Sequence, residues 1–161
     1  MLDARDLQIL SILQADARSS NAEIGRALGI APSAVLERVR KLERRGVITG
    51  YTARVAPAAL GQNLLAFVFV QADERPGGVR FGDTIGAIPE VQEVHHVAGE
   101  DCYLVKVRCA SPEALGLLLR DRFGAHEEVK RTRSTIVLGT LKESSALVVP
   151  EAEEENEDGA A

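Results

Sequence analysis

Between residues 38 and 45 the sequence "RVRKLERR" sets five basic side chains, Arg38, Arg40, Lys41, Arg44 and Arg45, into eight positions. Guanidinium and ammonium groups at this density either form a solvated helix face or bind phosphate oxygens and the O6 and N7 acceptors of guanine. Their spacing decides how they are displayed. At about 100° per residue, Val35, Val39 and Leu42 fall together, whereas Ser33, Glu37, Arg40, Lys41 and Arg44 spread over the opposite side with Arg38 flanking. A helix here is anchored by one face and offers the other. An isolated amphipathic helix would most simply be a surface helix, so the neighbouring elements carry the argument.

Two helices are expected before it. In "LDARDLQILSILQADAR", Leu7, Ile9, Leu10, Ile12 and Leu13 form one broad apolar stripe after an acidic start. Ser20 followed by Glu23 has the spacing of a capping box, opening a short second helix whose apolar face is Ile24, Ala27 and Leu28. Gly29 supplies a sharp turn, Pro32 suits the first turn of the basic helix, and Gly46 stops it. A short helix, a glycine turn and a longer basic helix make a helix-turn-helix, which lays its second helix in the major groove. The following "VITGYTARV" has the β-branched and aromatic residues of a small hairpin or wing.

Charge is distributed to match. The chain is 161 residues long with net charge −5, yet residues 1–60 hold 9 Lys/Arg against 6 Asp/Glu, residues 61–150 hold 10 against 12, and residues 151–161 hold none against 6. Such asymmetry suggests a nucleic-acid-facing N-terminal part and an acidic tail. No apolar run is long enough to span a bilayer and the start "MLDARD" is acidic, so no membrane partner and a cytoplasmic location are expected. Cys102 and Cys109, seven residues apart on one strand-like run, lie about 23 Å from each other and cannot pair.

Pro57 and Gly61 in "RVAPAALGQ" mark a boundary. Beyond it the expected order is strand 64–72, helix 80–88, strand 91–98, strand 101–109, helix 112–123 and strand 129–141. That βαββαβ order is ferredoxin-like. Phe81, Ile85 and Ile88, and then Leu115, Leu118, Leu119 and Phe123, give each helix one apolar face. "LLAFVFV" and "TIVL" are continuously apolar, so both sheet faces want cover while two helices cover only one; a partner subunit is expected on the other. The fold class is α+β: a winged helix-turn-helix over residues 1–53, a linker over 54–63, the ferredoxin-like domain over 64–142, and an acidic tail over 143–161 expected to be disordered.

The stretch from Leu2 to Ala53 closely resembles the DNA-binding domain of the Lrp/AsnC, or feast/famine, transcription regulators. "VQEVHHVAGEDCYLVKV" and "VKRTRSTIVL" resemble their ligand-binding and oligomerising domain. The likeness covers residues 2–142. It implies a sequence-specific regulator of double-stranded DNA that assembles as a dimer, often as tetramers or octamers, with an amino-acid effector bound between dimers. By position it places Ser33, Glu37, Arg38 and Lys41 near DNA, joined by Arg40 and Arg44 of the same basic face, and it assigns Gly99, Asp101, Thr132 and Ser134 to the effector. Three residues depart from the family pattern. Ala31 replaces a usual serine, removing a helix cap worth about 1 kcal/mol. Glu37 stands where a basic or small polar residue is common, and either accepts from a cytosine N4 or pairs with Lys41. Ser134 stands where threonine is common.

Other constellations carry less. Asp101 would take an effector's ammonium group or simply hydrogen-bond its turn, and Thr132 would serve equally as an ordinary strand residue. His95, His96 and Cys102 raise the alternative of a metal-responsive regulator, but adjacent strand residues point to opposite faces and the spacing matches no compact ligand motif. A small amino-acid carrier or enzyme on the same fold is the remaining alternative. The sequence has no nucleophile motif with a supporting base and no phosphate loop, and His95, His96 and His126 are not organised into a catalytic set, so no enzyme activity, cofactor or metal is expected.

Overall fold

Asp3 opens the first helix, α1 (Ala4–Ala15), by accepting from the Asp6 backbone N–H at 2.8 Å, and Asp6 accepts in return from the Asp3 N–H at 3.4 Å. The chain is described here from a computed structural model over residues 2–73, 80–99 and 102–150. Ser20 caps α2 (Asn21–Leu28) through the expected reciprocal bonds with Glu23. Gly29 turns the chain in the left-handed region, at φ 67°, and α3 (Pro32–Arg44) begins at Pro32, its N-cap Ala31 making no side-chain bond. Gly25 must be small: a Cβ there would lie 2.7 Å from the Ile30 carbonyl oxygen, where the turn folds back on α2. α3 ends in a Schellman pattern, with Val47 N–H donating to Leu42 O, Gly46 N–H to Glu43 O, and Gly46 left-handed. Ile9, Ile24, Val35 and Leu42 form the buried centre of this three-helix unit, and Val39 and Ile48 pack against it.

The segment expected as a small hairpin or wing forms no strand ladder. Residues 47–56 contain no strand; Val47, Tyr51 and Val55 are exposed, and the Tyr51 hydroxyl donates to Glu43 of α3 at 3.1 Å. A hairpin needs a paired ladder over an apolar surface, and these side chains cover none within the unit. The segment instead runs extended into a 3-10 turn at Pro57–Leu60, closed by left-handed Gly61.

Two compact units result. One holds the chain through Ala53 together with the segment from Glu143 onward, and the other holds Arg54–Lys142. The second is a four-stranded antiparallel sheet of β1 (Leu64–Ala72), β2 (Val91–His96), β3 (Tyr103–Cys109) and β4 (Val129–Ile136), in the order β2-β3-β1-β4. Helices α4 (Arg80–Gly86) and α5 (Pro112–Leu118), the latter prolonged by a π turn at Leu119–Phe123, complete the βαββαβ order. β4 is shorter than the expected 129–141. Val137 N–H still bonds Leu65 O, but β1 begins at Leu64 and offers nothing to pair with beyond it.

Pleating divides the sheet into two unlike faces. Ala66, Val68 and Val70 of β1 and Tyr103, Val105 and Val107 of β3 are buried with Ile85, Leu115, Leu118 and Phe123 of the helical layer. Each fully buried aliphatic side chain there contributes about 1.5–3 kcal/mol. The other face carries Leu65, Phe67, Phe69 and Leu104, with Phe67 and Phe69 only half-buried. Arg133 lies 4.0 Å over the Phe69 ring, and Glu93 accepts from Lys106 at 2.9 Å beside His95 at 3.2 Å. This face has an apolar stripe edged by charge and no helix over it among the described residues.

Candidate nucleic-acid interface and ligand loop

The α3 wheel is realised in three dimensions. Val35 and Leu42 are fully buried and Val39 half-buried, whereas Ser33, Glu37, Arg40, Lys41 and Arg44 are exposed. Pro32 pre-sets the first helical turn and the Schellman close at Gly46 ends the helix beneath its last basic residues, Arg44 and Arg45. The outcome is a short positive ridge on a helix fixed from behind by apolar contacts.

Arg38 is engaged by α1. Its Nη1 donates to Asp3 Oδ2 at 2.6 Å and to Asp6 Oδ1 at 2.7 Å, so it faces α1 rather than standing on the exposed ridge. Asp6 is buried, and a buried carboxylate without a cationic partner is costly. The Arg38 guanidinium holds the Asp3 carboxyl below its ordinary value, and the two carboxylates push Arg38 further up. The α1 capping box and the inner edge of α3 thus form one charged joint. The acidic start of α1 is visible in the sequence; that its two carboxylates cap the helix and receive an arginine more than thirty residues on emerges only in the structure.

The expected effector residues are partly assembled. Asp101 lies outside the described residues. Gly99 is exposed at φ 138°, and the far side of its turn is fixed by Cys102, whose N–H donates to Val70 O at 2.9 Å and whose thiol donates to Ala72 O at 3.2 Å. Thr132 of β4 pairs with the same Val70 from the opposite side, which puts Cys102 and Thr132 two strand spacings, about 10 Å, apart. Ser134 pairs with Val68, two residues further from the loop, and is exposed. The loop and Thr132 therefore share one end of the sheet, and Ser134 sits toward its middle. His95 and His96 occupy opposite faces, His95 beside Glu93 and His96 against Tyr103 with ring centroids 5.1 Å apart. Among the described residues no group of three or more His, Cys, Asp and Glu is arranged to hold a metal.

A helix-turn-helix that exposes the basic face of its second helix, followed by a ferredoxin-like sheet domain, defines a DNA-binding regulator with an appended ligand domain. The winged helix-turn-helix DNA-binding profile matches residues 2–49, and the Lrp/AsnC ligand-binding domain profile matches residues 65–147. The chain belongs to the Lrp/AsnC family of transcription regulators. It is 38% identical over 150 residues to the leucine-responsive regulatory proteins of Klebsiella pneumoniae and Escherichia coli K12, covering 92% of each chain. A feast or famine regulatory protein from M. tuberculosis, solved with L-methionine, superimposes with TM-score 0.85 at 39% identity, covering 93% of this chain and all of that one. A Neisseria meningitidis transcriptional regulator in complex with L-Met gives TM-score 0.86 at 28% identity, covering 92% and 97%.

The charged joint predicts a division of labour within α3. Arg38→Met keeps the aliphatic stem but strands Asp6, and should lower the stability of the N-terminal unit by about 1–3 kcal/mol in urea titrations. Because the folded state depresses the Asp3 carboxyl, its stabilisation is present above the ordinary value of 3.8 and is lost as pH falls through the lower folded value. Asp3→Asn should remove that acid-dependent component while leaving the rest of the pH profile in place.

Proposed function

We propose that the exposed ridge of α3, Ser33, Glu37, Arg40, Lys41 and Arg44, is the surface that meets operator DNA, with Arg38 positioning the helix rather than touching the duplex. The observation that carries this reading is the split of α3 into a buried aliphatic edge, a charge-paired flank and a free basic face. Side chains so presented in a major groove reach base edges through Arg and Lys and phosphates through Ser and Lys. The protein acts as a transcription regulator without catalysis. Its DNA-binding domain supports a cytoplasmic location, and among the described residues no helix is long and apolar enough to cross a membrane.

The same reading assigns the open sheet face to a second copy of the chain. Leu65, Phe67, Phe69 and Leu104 supply its apolar stripe, and Glu93, Lys106 and Arg133 supply directional contacts at its edge. Dimers formed in this way assemble further into tetramers or octamers. The effector is an amino acid held by the Gly99–Asp101 loop, with Thr132 and Ser134 as hydroxyl partners. The two methionine-bound relatives support that ligand class, and they make methionine the first to test.

Each part has its own measurement. In gel-shift titrations Lys41→Ala should weaken binding to all duplexes and make the salt dependence shallower by about one unit, as loss of a phosphate contact does. In light scattering the protein should be a dimer or a multiple of one, and Phe67→Glu should give a folded monomer because it places an unpaired charge in the apolar stripe. By calorimetry across the twenty amino acids, Asp101→Ala should lose roughly ten- to a hundredfold in effector affinity, the worth of one charge-assisted hydrogen bond. Its DNA binding without effector should be unchanged.

A further inference from the structure

After the sheet domain the chain joins the three-helix unit again, where Leu147 bonds to α1. Gln14, exposed on α1, accepts from the Leu147 N–H at 2.7 Å and donates to the Leu147 carbonyl at 3.0 Å. Ala146 N–H also donates to Ser144 Oγ at 3.1 Å, shaping the approach. The Leu147 and Val148 side chains remain exposed, so the contact is a two-point backbone anchor and not an apolar docking. Four residues beyond the anchor begins "EAEEENEDGAA", with six carboxylates and no Lys or Arg.

That segment is tethered to the unit that carries the basic ridge. Its 11 residues reach at most about 36 Å when extended, whereas a unit of some fifty residues has a radius of gyration near 10 Å, so α3 is within reach from α1. Glu151, Glu153, Glu155 and Glu157 recur at every second position, and in an extended chain they would line one side at about 6.6 Å intervals. The ridge they would meet exposes Arg40, Lys41, Arg44 and Arg45, while the fifth basic residue, Arg38, is already engaged by Asp3 and Asp6. A tethered polyanion of this reach acts at an effective concentration in the millimolar range, and its attraction to the ridge is weakened by salt in the same way as that of DNA.

We infer that the acidic segment Glu151–Asp158 occupies the basic face of α3 in the DNA-free protein and is displaced by the duplex, so that the chain carries its own competitor for its DNA-binding surface. The inference rests on α3 being that surface. Occupancy in cis multiplies the apparent dissociation constant for every duplex by one common factor, because only the uncovered fraction is competent. Weak, random-sequence sites then fall below useful affinity first.

The test compares the full chain with a variant ending at Pro150, using a random-sequence duplex at 50 mM KCl and at rising salt. The shortened protein should bind roughly three- to tenfold more tightly at low salt, with the difference fading as salt rises. In parallel, the full chain is treated with a zero-length carbodiimide. Lys41, the one lysine in residues 1–60, should couple to carboxylates of residues 151–158, and excess duplex should suppress the product. Equal affinities would overturn the inference. So would a gain in affinity with no Lys41 product, since that pattern means long-range repulsion without occupancy. Failure of both proteins to bind any duplex would instead refute α3 as the DNA surface, and the cross-link would still report whether the segment covers it.

Discussion

One arginine facing two aspartates governs how this protein can display a basic helix. α3 carries five basic residues in eight positions, a density that would repel itself and leave the helix weakly held if all five faced water. Arg38 turns to Asp3 and Asp6, which are already the reciprocal cap of α1, and so converts one of the five charges into a bond between helices. Val35, Val39 and Leu42 complete the attachment from the next face. The remaining basic residues are left on a surface whose orientation is set from two sides.

The sheet domain shows the same economy with a different geometry. Strand alternation sends Ala66, Val68 and Val70 to the helices and Leu65, Phe67 and Phe69 to the other side, so β1 is apolar on both faces and, among the described residues, helices cover only one. The uncovered face is not bare hydrocarbon: Arg133 stacks on Phe69, and Lys106 and His95 share Glu93. Such a surface tolerates water while keeping a defined pattern of apolar and charged groups. At one end of the sheet, Cys102 and Thr132 pin Val70 from both sides, which ties the expected effector loop to the strand that also carries Phe67 and Phe69.

Much of this was legible because it rests on local rules. Ser20 and Glu23 cap α2, Gly29 adopts its left-handed turn, Pro32 starts α3, and the period-two and helical patterns beyond residue 63 yield the βαββαβ order. What the sequence misled on was set by partners distant in the chain. The β-rich composition of residues 47–55 suggested a hairpin, but strand formation needs a ladder that composition alone does not supply. The apolar run to Leu138 suggested a longer β4, but the strand ends where β1 begins. A helical wheel places Arg38 at the flank of the basic face and says nothing of α1 beside it, whose Asp3 and Asp6 receive its guanidinium. At the candidate effector site the loop and Thr132 come together at one sheet end, whereas Ser134 lies further along.

If Arg38 holds α3 to α1, it stays with the aspartates when the exposed basic residues meet a duplex. Nitrogen-15 NMR of the arginine guanidinium groups, assigned by single substitutions and followed as operator duplex is added to the full chain, reads this directly. The Arg40 and Arg44 Nε–H signals should shift as the duplex saturates while Arg38 keeps the position set by Asp3 and Asp6. An Arg38 signal that moves as far as theirs, leaving its aspartates, would contradict it.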